Sequence, residues 1–149
     1  MENLTAILNN NGSRQAVVND SVRLVESEVG RKKGVSGFAI KNGYKLVSKL
    51  KGGRMTHIMV DKMLDQFVSA LDPFHASYEQ ANSGESFASY LTQRDDAVAE
   101  SLLAATDRRR QAESNKALTG AYDKLRPMAK RNVVEAVPAI GRMVESHLS

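Results

Sequence analysis

Residues 30–55 read GRKKGVSGFAIKNGYKLVSKLKGGRM. The stretch carries eight cationic side chains and no carboxylate. With Ile40 at the origin of a wheel turning ~100° per residue, Ala39, Gly43, Tyr44, Leu46, Val47 and Leu50 fall within one arc of about 160°. Lys41, Lys45 and Lys49 line the opposite side at i, i+4 and i+8. That is the pattern of an amphipathic helix. It predicts a helix over residues 36–50, capped at Ser36 and set between glycine breaks at Gly30 and at Gly52 and Gly53. Phe38 projects from the lysine side. Gly43 sits inside the apolar arc, where glycine costs ~1 kcal/mol relative to alanine. A close helix crossing over Ala39 and Gly43 would offset that cost, so Gly43→Leu is expected to overpack.

The same periodicity runs outward in both directions. Val18, Val22, Val25 and Val29 recur at i, i+4, i+7 and i+11 behind a cap at Ser13, and Gly30 stands where a terminating glycine belongs. A further helix is predicted over residues 54–71. Asp72 and Pro73 read as the cap and first residue of the next one, since proline is tolerated there and disruptive inside. Asn82, Ser83 and Gly84 form a break, and a short helix follows over residues 87–91. Thr92 to Asp95 is close to a capping box and opens a helix reaching Arg110. Ser114 or Asn115 caps another. Pro127 begins the last, whose stripe is Val133, Val137, Ile140 and Val144, with a kink at Pro138. No run alternates with period two. The expectation is an all-α protein, a single compact bundle of six or seven helices forming one domain over residues 1–149.

Composition agrees with that reading. At 149 residues, with 42% apolar and 26% charged side chains, the chain is too apolar for disorder and long enough to fold without staples. It has no cysteine, which removes disulfides, thiolate metal sites and a cysteine nucleophile and suits a reducing cytosol. The N-terminus shows no signal peptide, and the longest apolar run, residues 102–105, is far short of the ~20 residues of a membrane span. Aromatic residues make up only 5%, which counts against readers of single-stranded nucleic acid that rely on stacking.

The net charge of +4 conceals a segregation. Residues 29–60 carry +8, residues 61–105 carry −6 and residues 106–131 carry +5. Two basic blocks bracket an acidic one, so an internal clamp and an external anionic partner are both open. Arg31, Lys32, Lys33, Lys41, Lys45, Lys49 and Arg54 are the candidate anion-binding residues. Three uses compete with a merely solvated face: nucleic-acid backbone, an anionic membrane surface, and a small phosphate on the amides of Gly52, Gly53 and Arg54 with the Thr56 hydroxyl. An acidic protein would present the same chemistry. No phosphate-loop motif is present, and no cofactor is expected.

Catalytic signals are absent. His57, Asp61 and Asp65 share a helix face at i, i+4 and i+8, but His57 borders an apolar arc of Val60, Leu64, Phe67 and Leu71. His75 lies ~27 Å further along a continuous helix, so no metal is expected. Ser36 has no strand before it and is not a nucleophile elbow. Asp95 and Asp96 diverge by ~100° on a helix, which makes a poor acid–base pair. The leading expectation is therefore a non-catalytic interaction protein with a basic helical face. The alternative is an assembly subunit of a homo-oligomer, and an enzyme of unrecognised type comes third.

Two segments, SEVGRKKGVSGFAIKNGYKLVSKLKGG and AYDKLRPMAKRNVVEAVPAIGRMVESHL, resemble a family of small uncharacterised proteins of actinomycete bacteria. Ser36 and Gly37 through Gly43, Tyr44 and Lys45, together with Tyr122, Lys124, Leu125, Arg126 and Pro127, carry the likeness, which runs from about residue 15 onward. It implies a bacterial, cytoplasmic, all-helical domain and no assigned site residue.

Overall fold

Helical periodicity becomes helix throughout the computed structural model of the chain, which describes residues 4–10 and 14–148, apart from the side chains of residues 7, 9, 10, 35, 36 and 38. The described segments are α1 (Leu4–Asn10), α2 (Arg14–Arg31), α3 (Gly34–Ser48), α4 (Leu50–Gly53), α5 (Met55–Ala81), α6 (Phe87–Thr92), α7 (Asp95–Ala112) and α8 (Lys116–Ser146). No strand occurs among the described residues. The all-α expectation holds, although these eight segments exceed the six or seven expected.

Several boundaries differ, each for a physical reason. Gly30 lies within α2, and the chain turns instead at Gly34, whose φ of 76° an L side chain rarely adopts. Pro73 stands inside α5, and Pro127 and Pro138 stand inside α8. Proline removes one hydrogen bond from a helix interior, yet α5 runs through Pro73 between the buried Leu71 and His75, and α8, with its buried residues Ala136, Val137, Gly141 and Val144, runs on through Pro127 and Pro138. Asp72 accordingly does not cap a helix of its own: its carboxylate accepts the Leu4 N–H and so caps α1. Thr92 forms no capping box, because its hydroxyl donates to the Ala88 carbonyl and α7 has Arg94 at its cap with no side-chain bond. Asn115 caps α8 as expected, accepting from Ala117 and Leu118. The expected cap at Ser13 lies outside the described residues, as do the side chains of Ser36 and Phe38.

The two long helices organise the rest. α8 packs along α6 and α7, and α5 packs against α7, α1 and α2. α3 lies across α8, α2 and α5. Leu4 and Leu8 of α1, Val17 and Val18 of α2, Leu64, Val68 and Leu71 of α5, and Val137 and Val144 of α8 meet in one buried cluster with Phe87, Leu91, Val98 and Leu102. One close approach is between α6 and α8. A Cβ on Gly141 would lie 2.6 Å from the Ala88 Cα, so only glycine fits there. Glu145, one turn further on, accepts the Ala88 N–H and ties α6 by its N-terminus.

No described helix is long and apolar enough to cross a membrane.

Candidate anion-binding face

Helix α3 is an amphipathic helix ended by left-handed turns. Lys51, Gly52 and Gly53 have φ of 54°, 66° and 85°, which breaks the helix and redirects the chain into α5. On its inner side Ala39, Ile40, Gly43, Tyr44 and Val47 are half-buried. A Cβ on Gly43 would meet the Leu125 Cδ1 at 3.2 Å, so α3 does cross α8 there, against a side chain and not against backbone. At its start Gly37 is held harder, since a Cβ would lie 2.6 Å from the Lys32 backbone. Leu46, expected inward, is 61% exposed. It sits at the limit of the apolar arc, about 120° from Ile40 on the wheel, where α8 no longer reaches.

The outer side is cationic and bare. Lys33, Lys41, Lys45, Lys49, Lys51 and Arg54 are exposed, and none forms an ion pair among the described residues. Lys41, Lys45 and Lys49 repeat every ~6 Å along the axis. Arg31 and Lys32 behave differently. Arg31 pairs with Glu28 at 3.4 Å. The Lys32 Nζ donates to the Glu135 Oε2 at 2.7 Å and stands 3.9 Å from the Glu28 Oε2. That hydrogen bond, with the added charge of Lys32, holds the Glu135 carboxyl below its ordinary pKa. Of the seven candidate residues, Lys33, Lys41, Lys45, Lys49 and Arg54 are therefore free toward solvent, while Arg31 and Lys32 are engaged with acids of α2 and α8.

The acidic block does not reach this face. Asp61 and Asp65 pair with Arg14, and Asp96 and Glu100 pair with Lys130. The second basic block, by contrast, is partly paired, mostly with its own three acids. Arg109 pairs with Glu113, Arg110 with Asp123 and Arg126 with Asp107. Between the acidic block and the second basic block only Lys130, with Asp96 and Glu100, is joined among the described residues, and α3 takes no part.

The small-phosphate arrangement is occupied by internal bonds. The Gly53 and Arg54 amides donate to the Lys49 and Lys51 carbonyls, and the Thr56 hydroxyl donates to the Tyr44 oxygen at 3.2 Å. His57 is exposed, whereas His75 is buried among Tyr78 and Phe87 with its Nδ1 3.1 Å from Glu79. Among the described residues no three His, Asp or Glu side chains converge.

Sequence reasoning missed a different feature. A partly open, almost wholly apolar cavity of about 400 Å³ runs between α2, α5, α7 and α8. Another of about 310 Å³ lies beneath α3, walled by Gly43, Tyr44 and Leu125. The half-buried members of the stripes, Val25, Val29, Val60, Phe67, Val133 and Ile140, all face the larger one. Their spacing marked them as inward-facing and said nothing of whether the space between them is filled.

An all-α bundle bearing an unpaired cationic helix over apolar cavities is the class these observations define. Residues 4–148 match a family of unknown function, DUF6918, and the chain belongs to it. No curated protein and no solved structure matches the chain.

Proposed function

We propose that this protein is a non-catalytic binding protein that seats α3 on an anionic lipid surface. The supporting observation is the exposed side of α3, where Leu46 stands in solvent at the edge of the lysine face, about 60° from Lys49 on the wheel, and no carboxylate among the described residues pairs with the lysines. A polyanion backbone would use the charges and leave an exposed leucine without purpose. A lipid interface uses both, since basic residues attract the headgroups and the apolar side chain enters the acyl boundary. The setting proposed is the cytoplasmic side of a bacterial membrane, following the actinomycete resemblance and the cysteine-free composition, with one helical domain over residues 1–149.

Sedimentation with vesicles tests this. The protein is expected to pellet with phosphatidylglycerol vesicles and not with phosphatidylcholine vesicles, and to keep part of its binding at high salt. Changing Lys41, Lys45 and Lys49 to glutamine removes ~1 kcal/mol per lysine, about a hundredfold in all. Leu46→Gln is expected to abolish the salt-resistant part. Binding to duplex DNA that is equally tight and wholly salt-sensitive would assign the face to nucleic acid instead. Self-association through Leu46, seen as a concentration-dependent mass, would make it an assembly surface.

A further inference from the structure

Protein interiors are packed to the density of organic crystals, with few voids larger than a water molecule. A partly open apolar cleft of about 400 Å³ between α2, α5, α7 and α8 is space that these helices leave unfilled, and it falls in the range of ligand pockets, ~300–1,000 Å³. We infer that this cavity is a binding site for a single-chain amphiphile with a hydroxyl head, such as a long-chain alcohol or a monoacylglycerol.

Shape and lining set the chain. The cavity follows α2 from Val17 to Lys32, about 22 Å at ~1.5 Å per residue, so it is elongated. A methylene group fills about as much space as a water molecule, ~30 Å³, which gives room for one chain of about a dozen carbons. Apolar walls from all four helices exclude a polar or sugar-like occupant.

The head is set by Glu28. This residue lines the cavity and is only 8% exposed, yet its Oε2 makes no hydrogen bond. A buried carboxylate oxygen without a donor costs free energy that a ligand can recover. The Lys32 Nζ, also on the lining, stands 3.9 Å away, too far for a direct hydrogen bond. A hydroxyl placed between them donates to Glu28 and accepts from Lys32 at normal distances. A carboxylate head has no proton for Glu28 and is repelled by it. Glu135, exposed and bonded to Lys32, places solvent-exposed polar groups beside this end of the cavity.

The inference does not depend on membrane binding, so its test uses no vesicle. Isothermal titration of the purified protein with dodecanol is expected to show one site. Dodecyl methyl ether, which accepts but cannot donate, is expected to bind at least about tenfold more weakly, the loss of one hydrogen bond to a charged group. Glu28→Leu, which offers no acceptor, is expected to remove that preference. Ala129→Phe, or Val25→Phe from the opposite wall, fills the space and is expected to abolish binding in whichever variant retains its circular dichroism and melting transition. Replacing Lys41, Lys45 and Lys49 by glutamine is expected to leave dodecanol binding unchanged, which separates this site from the face on α3. Absence of dodecanol binding, equal affinity for alcohol and ether, or undiminished binding in a folded, filled variant would each overturn the assignment.

Discussion

Helix α8 has two unlike neighbours. Against α6 it is locked, with Gly141 seated on the Ala88 backbone and Glu145 capping the short helix. Against α3 it is loose, with Gly43 facing the movable Leu125 side chain over a cavity of about 310 Å³. Charge follows the same division. Arg109, Arg110, Arg126 and Lys130 of α7 and α8 find carboxylates, and the cations on the outer face of α3 find none among the described residues. Where backbone meets backbone, as at Gly141 and Ala88, no room is left for a side-chain atom. Where side chains meet across open space, residues are released from packing and become available for binding, which is why both proposed sites lie beside α2 and α3.

The contrast is easiest to break at Gly141. Gly141→Val is expected to destabilise the fold by at least about 3 kcal/mol, because the added atoms meet backbone that cannot yield. Urea denaturation measures it, and a variant as stable as the parent would mean that α6 is held no more tightly than α3.

A smaller effect is expected from the charges that close α7 onto α8. The Asp107 carboxyl is held below its ordinary pKa, first by the hydrogen bonds from Arg126 and then by the Tyr122 hydroxyl. A group depressed in the folded state stabilises above its unfolded pKa, about 3.9 for aspartate, and that stabilisation is lost as pH falls through the folded value. The pair is more than a third exposed, so its contribution is at most about 1 kcal/mol. Asp107→Asn should lower the melting temperature at pH 6 and have little effect in strong acid, which a melting series across pH reads directly. A deficit that persists unchanged at low pH would show that the side chain acts by packing and not by charge.

The smallest effect is expected at Gly43. Gly43→Ala gains ~1 kcal/mol of helix propensity and asks Leu125 to move by a few tenths of an ångström beside open space, so the net change should lie within about 0.5 kcal/mol of zero. Side by side with Gly141→Val, this measures how differently α8 holds its two partners. A loss at Gly43 comparable to that at Gly141 would restore the tight crossing suggested by sequence alone.

Much of the fold was legible because it rests on local rules. Period 3.6 placed Val18 and Val22 of α2, Leu64 and Leu71 of α5, and Val137 and Val144 of α8 inward, and all six are buried. Asn115 and the break at residues 82–84 were readable from cap and turn chemistry. Proline was misleading at Pro73 and Pro127, because its local cost is outweighed by burial along helices whose length no short window reveals. The caps at Leu4 and Ala88 were invisible for a related reason: their acceptors, Asp72 and Glu145, lie 68 and 57 residues away in sequence.

The candidate face divides the same way. Composition and spacing determined that α3 carries lysines on one side, since charge and helical phase are properties of the chain itself. Only the tertiary structure decided that Asp61 and Asp65 turn toward Arg14 and Asp96 and Glu100 toward Lys130, leaving the α3 lysines bare among the described residues while Lys32 is engaged by Glu135. The cavity belongs wholly to the second category. An apolar stripe specifies which way a side chain points, but the distance between two stripes is set by the helices that carry them, and that distance separates a filled core from a space able to hold a ligand.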